Sequence, residues 1–202
     1  FKITGVIMDE SPTGCWTNHH SIIQFDKQWY LFYHHNDYSP KFDKSRSIRL
    51  DSLSFNGDGT IRKVIPTLRG VGVTPADKPI QLDRYTSISS HGAAIDLLDS
   101  ASTFKGWKTN LSETGAWVRY NQVDFKNKFK AVNVRAQSST GGILQLRTGG
   151  LNGPVIAEVT IAAGKEWSNA KASLSKIRPG LYDIVAVLKK EGAIQVDWIS
   201  FE

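Results

Sequence analysis

Four of the five histidines in this chain fall within residues 17–35, TNHHSIIQFDKQWYLFYHH. A neutral imidazole is a common metal ligand and a ready proton acceptor near neutral pH. His19 and His20 are adjacent, as are His34 and His35, and adjacent residues on a strand project to opposite faces. Neither pair can close on one ion from one face. No HExxH or HxxEH spacing accompanies them and Cys15 is the only cysteine, so a zinc site built from this chain alone is not indicated. A hydrogen-bonded core or rim histidine is the plainer reading. Hydrolytic chemistry finds little more. There is no GxSxG elbow, and glycosidic hydrolysis needs two carboxylates facing each other across the bond. Asp9, Glu10, Asp26, Asp37, Asp43 and Asp51 all sit in contexts that suit an ordinary turn or surface acid. The residues alone nominate no catalytic pair.

The elements that must position these groups are strands. Seventeen glycines, six tryptophans and many Val, Ile, Thr and Tyr residues in 202 favour β structure and turns. No run of about 18 apolar residues is present to span a membrane. The formal charge of +6 is spread out, with nine basic and seven acidic side chains in residues 1–75. No Lys/Arg run reaches five, which argues for a solvated surface and against a nucleic-acid partner. Cys15 is expected to be a free, buried thiol. The sequence opens at Phe1 with its one methionine at position 8, and the expectation is that further chain precedes it.

Two blocks separate around RGVGVTPADKPI. In the first, HHSIIQFD, KQWYLFYHH, SRSIRLDSLSF and TIRKVIPTL read as four antiparallel strands, with NGDG as a hairpin turn. An irregularity is expected at Asp51–Ser52, and Ile48, Leu50, Leu53 and Phe55 are expected to face a core. WYLFY is apolar on both faces, so further layers must cover both sides of that sheet. Residues 73–79 read as a linker. In residues 80–202, eight strand-like runs punctuated by Gly and Asn argue for an antiparallel sandwich.

The stretch GVIMDESPTGCWTNHHSIIQFDKQWYLFYHH, followed by SRSIRLDSLSFNGDGTIRKV, resembles the last blade of the five-bladed β-propellers of glycoside hydrolase family 43. That family includes β-xylosidases and α-L-arabinofuranosidases. The motifs are N-H-x-S-I, W-Y-x-x-Y-H, the serine-arginine strand and D-G-T-I. The resemblance implies that residues 1–72 form that terminal blade. His19 would lie near the axial pore, helping to hold a metal ion or water beneath the sugar, and Arg46 would reach toward the sugar. The family's catalytic carboxylates come from earlier blades, so none is assigned here.

Residues 80–202 resemble carbohydrate-binding module family 6, through IQLDRY, TGAWVRYNQVDF, GGILQLRTGGLNGPVIAEVTI, GKEWSNAKASL and AIQVDWISFE in order. This implies a jelly-roll β-sandwich in which a ring stacks on a sugar and amides bind its hydroxyls. Trp167, in a loop, and Gln195 match the family's sugar contacts. Leu111 stands where the usual tyrosine would be, with Trp107 able to substitute from the preceding loop. Trp117 matches an aromatic of the family's second cleft, or packs in the core, and Trp198 is expected in the core. Gln81, Asp83 and Asp197 match ligands of a structural Ca²⁺, a hard ion suited to oxygen donors.

Together these imply the C-terminal part of a secreted or periplasmic, inverting arabinofuranosidase or xylosidase. Its partners would be arabinoxylan or arabinan and the remaining blades. The rival readings are a module that only buttresses the propeller, or a free-standing lectin.

Overall fold

The computed structural model describes residues 2–10, 19–36, 46–190 and 192–202. Cys15 lies outside them. The chain divides into two compact units, Phe1–Val71 and Gly72–Glu202. Nearly all regular structure is antiparallel β, and no described helix is long and apolar enough to cross a membrane.

Among its described residues, unit 1 holds one sheet of three strands, β1 (Ser21–Phe25), β2 (Gln28–His35) and β3 (Ser47–Leu53), in the order β1-β2-β3. Asp26 and Lys27 both take positive φ, 46° and 64°, and close the β1–β2 hairpin with the two-residue turn that matches strand twist. Pairing of β2 with β3 runs unbroken from Trp29↔Leu53 to His35↔Ser47, so the irregularity expected at Asp51–Ser52 is absent. The reason is that Asp51 is buried by design of its neighbours. Its carboxylate accepts from the Tyr33 hydroxyl, from the Thr67 N–H at 3.0 Å and from the Thr67 hydroxyl at 2.7 Å. Arg49 and Asp51 therefore face inward with Leu53, while Ile48 is 84% exposed. Ile48 and Leu50, expected to face the core, lie on the opposite side of the strand from Arg49 and Asp51, while Leu53 is buried as expected. The run TIRKVIPTL supplies only isolated bridges, Phe55↔Ile61 and the parallel Met8↔Val64, rather than a fourth strand. Pro66 lacks a donor, and Val64 N–H bonds to Ile7 O at 2.7 Å instead.

Leu31, Tyr33, Leu53 and Val64 form a small core, with Ile7, Met8, Ile22, Trp29 and Ile61 against it. The other face, shared by Ile23, Phe25 and Ile48, leaves those side chains 47%, 73% and 84% exposed.

Unit 2 packs two six-stranded sheets. The first contains β5 (Ile80–Gln81), β7 (Ala93–Leu97), β8 (Trp107–Leu111), β10 (Ala131–Ser138), β13 (Gly164–Ser173) and β15 (Ile194–Phe201). Its order is β13-β10-β15-β8-β7, with β5 also on β15. The second contains β4 (Thr74–Pro75), β6 (Ser87–Ile88), β9 (Trp117–Phe125), β11 (Gly142–Thr148), β12 (Val155–Ile161) and β14 (Gly180–Leu188). Its order is β12-β11-β14-β9-β4, with β6 on β9. Alternating apolar residues of both sheets meet in one core, as sandwich packing requires. Phe125 anchors one end, its ring 4.8 Å from Phe201 and 5.7 Å from Tyr182.

Part of the expected linker belongs to this sandwich. Thr74–Pro75 pairs in parallel with Val123–Asp124, and Ala76 is fully buried. The Ala76 N–H donates to Asp124 O at 3.1 Å, and its carbonyl accepts from Phe201 N–H at 2.9 Å. Those three residues thus tie the two sheets together. Strands β7 and β8 occupy a segment with no expected strand, and β13 begins six residues ahead of the run AKASLSKI. Both differences reshape the surface described next.

Candidate functional site

Register fixes which side chains share the outer face of the first sheet of unit 2. Asp96 stands opposite Lys108, Asn110 opposite Gln195, Gln195 opposite Gln137, and Trp198 opposite Arg135. Their inward neighbours Thr109, Leu111, Val134, Ala136, Ile194 and Val196 are fully buried, so this polar set faces out. Trp167 joins it from β13. A cavity of about 730 Å³ opens there, lined among others by Asp96, Asp99, Lys105, Lys108, Arg135 and Trp167. That size is ordinary for a small-molecule site.

Trp167 and Arg135 form the best-defined contact. The guanidinium carbon lies 5.6 Å from the Trp167 ring centroid, within range of a cation–π attraction. Its Nη1 donates to Asp197 Oδ2 at 2.9 Å. The Gln137 side chain donates to the Lys165 carbonyl, two residues before Trp167. Trp167 was expected on a loop and instead lies within β13, half-buried. It sits in the irregular stretch of that strand, between the Ala136–Ser168 and Ser138–Gly164 pairs.

The other wall is the β7–β8 connection, which carries one turn of 3-10 helix at Thr103–Lys105. Lys105 Nζ donates to Asp99 Oδ2 at 2.7 Å, and that interaction holds the Asp99 carboxyl below its ordinary range. Phe104, beside Lys105, is fully exposed.

The remaining expected residues scatter. Gln195 lies on the same outer face, in register between Gln137 and Asn110. Trp107 alternates with Lys108 and shares the parity of Thr109 and Leu111, so it turns away from the cavity. Leu111 is completely buried. Trp117 alternates with the buried Val118 on β9 and, with Arg119, faces out of the second sheet. Trp198, expected in the core, is half-buried and alternates with the core residue Ile199. In unit 1, His19 is exposed ahead of β1. Its backbone N–H donates to His34 Nδ1 at 3.4 Å, with the rings 5.6 Å apart. Arg46 is exposed immediately before β3.

Asp83 and Asp197 are both buried, and Asp83 feels the charge of Asp197. Burial pushes the Asp83 carboxyl up to about 6, and the negative charge of Asp197 adds to the rise while Arg84 opposes it. Burial also raises Asp197, against the pull of Arg135. Two buried carboxylates that repel each other are hard-oxygen donors that fit a divalent cation. Gln81 sits opposite Trp198 on the adjoining β5. No group of three or more His, Cys, Asp or Glu suited to an ion occurs among the described residues.

Arg135, Lys105, Lys108, Asp96, Asp99 and Phe104 were not singled out as site residues. The alternation of FKAVNVRAQ did place Arg135 opposite in parity to Val134. Nothing comparable marked Lys108, whose strand is visible only once paired.

Residues 89–202 match the model of carbohydrate binding module family 6. The chain belongs to that family. A β-1,3-glucan binding family 6 module from Bacillus halodurans superposes on this family 6 module with a TM-score of 0.58 and 26% identity. The match covers 65% of this chain and 99% of that one. A glycoside hydrolase family 43 arabinoxylan arabinofuranohydrolase from Bacillus subtilis, in complex with cellotetraose, shares the fold over 91% of this chain. The TM-score is 0.63 at 18% identity, over 40% of that chain. A β-xylosidase of Xylanibacter ruminicola is 38% identical over 66 residues, 32% of this chain and 19% of that protein. The chain spans about a fifth of the length of the curated xylosidase and arabinosidase relatives it matches over such a segment.

Proposed function

We propose that unit 2 binds sugars of a plant cell-wall polysaccharide, arabinoxylan or arabinan, at the Trp167 cavity. It does so as the C-terminal module of a secreted or periplasmic hemicellulose-degrading glycoside hydrolase. The parent enzyme is of the arabinofuranosidase/xylosidase type and inverting, and unit 1 is the last blade of its propeller. The supporting observation is Trp167 itself. Arg135 lies against the ring, and the cavity around it is otherwise mostly polar, which suits stacking on a pyranose with hydrogen bonds at the edges. Membership of family 6 supports sugar binding, and the similarity to xylosidases and arabinosidases supports the parent.

Unit 2 would hold Ca²⁺ through Asp83 and Asp197, assisted by the Gln81 amide. The ion would offset the repulsion between the two carboxylates. In unit 1, Arg46 would contact the sugar and His19 would support an ion or water at the propeller axis. The chain supplies binding to the parent and no hydrolysis of its own.

Affinity electrophoresis in arabinoxylan gels tests the central claim. The chain should be retarded, and Trp167→Ala should abolish the retardation. The buried Leu111, which leaves Trp167 without a facing aromatic at that position, favours a second reading in which the module only buttresses the propeller. No retardation of the native chain would decide for it. Turnover of nitrophenyl arabinofuranoside or xyloside by this chain would overturn the claim that it only binds.

A further inference from the structure

We propose that the Trp167 cavity selects an acidic sugar, a uronic acid whose carboxylate seats against Lys108; this rests on the sugar-binding reading above. Three cations from three elements line the cavity: Lys105 from the 3-10 turn, Lys108 from β8 and Arg135 from β10. The carboxylates around them already have partners. Asp99 accepts from Lys105 Nζ at 2.7 Å and from Ala101 N–H at 2.8 Å. Asp197 accepts from Arg135. Asp96, opposite Lys108 in the ladder, turns its Oδ1 back to the neighbouring Leu97 N–H at 2.8 Å.

Lys108 is half-buried and makes no ion pair among the described residues. Lys105, Lys108 and Arg135 outnumber the Asp96 and Asp99 carboxylates in the lining, and that surplus of positive charge favours an anion there. Arg135 can reinforce it, because a guanidinium has five N–H donors and only Nη1 is engaged with Asp197. Trp167 then serves the sugar's apolar face while the cations serve its carboxylate. A neutral pyranose would gain the first contact without the second.

Calorimetric titration tests this on the full chain with a glucuronic-acid-substituted xylo-oligosaccharide and with the same oligosaccharide after reduction of its carboxyl to an alcohol. The acid should bind about tenfold more tightly, the weight of one charge-assisted hydrogen bond. That ratio should fall as salt is raised from about 0.02 to 0.5 M, since the charges are only partly buried. Lys108→Met should bring the ratio close to one, and Lys108→Arg should keep it. Equal affinities in the native chain, or a preference that persists in Lys108→Met, would overturn the acidic selectivity alone. Failure of both sugars to bind would overturn the sugar-binding reading and this inference with it.

Discussion

The Arg135 guanidinium lies 5.6 Å from the centre of the Trp167 ring and is fixed from behind by Asp197 at 2.9 Å. One side chain thus steadies the aromatic surface and neutralises a buried carboxylate. Arg135→Met should weaken sugar binding two- to fivefold, from loss of about 0.5–1 kcal/mol of cation–π attraction. It should also lower stability by about 1–3 kcal/mol, because Asp197 is left without its partner. Adding Asp197→Asn should recover part of that stability in urea unfolding, but not the affinity.

Phe104 carries a whole ring in solvent beside the cavity wall. Phe104→Ala should leave stability within about 0.5 kcal/mol, since nothing buried is lost. If the ring helps grip a sugar chain, affinity for longer oligosaccharides should fall roughly two- to tenfold. Titration with oligosaccharides of increasing length separates the two effects.

Leu111 is fully buried, opposite Ala93 and Ile194 across its strand pairs. Installing the family's tyrosine there should therefore fail to rebuild an aromatic sandwich. Leu111→Tyr is expected to cost about 1–3 kcal/mol through overpacking, with no gain in affinity. Tighter binding in the variant would show that the ring can reach the sugar.

Metal removal bears on Asp83. In chelator, the native chain should unfold earlier than in calcium, by about 2.7 kcal/mol when the ion is at a hundred times its dissociation constant. Asp83→Asn should show the same unfolding midpoint with and without calcium. A calcium response that survives in the variant would exclude Asp83 as a ligand.

Burial, then the hydrogen bond to Asp51 and its negative charge, push the Tyr33 phenol above its ordinary range. The folded chain keeps this proton where the unfolded chain releases it. The associated stabilisation is complete below about pH 10 and is lost as pH rises beyond it. Alkaline unfolding should accordingly be steeper for the native chain than for Tyr33→Phe.

Strand alternation and turn chemistry made the all-β character, the sandwich and the β1–β2 hairpin legible in the sequence. Trp167 and Gln195 were named only through family resemblance. What stayed hidden depended on partners distant in the chain. AAIDL and WKTNL are too short and mixed to read as strands until they pair with each other, so Lys108 and the cavity wall were missed. Asp51 looked like a break in β3 because its stabilising groups, Tyr33 and Thr67, lie 18 and 16 residues away. Pro75 and Gly72 suggested a tether, but Ala76 fills a core position that composition cannot reveal.

Ile23, Phe25 and Ile48 share one outward side of the unit 1 sheet, and a protein surface that greasy governs laboratory behaviour. Produced by itself, this polypeptide should reach its solubility ceiling through that side. Its charged sandwich should tolerate crowding far better. Mild detergent or Ile48→Lys should raise the usable concentration while leaving sugar affinity untouched, a practical handle for crystallisation and calorimetry alike.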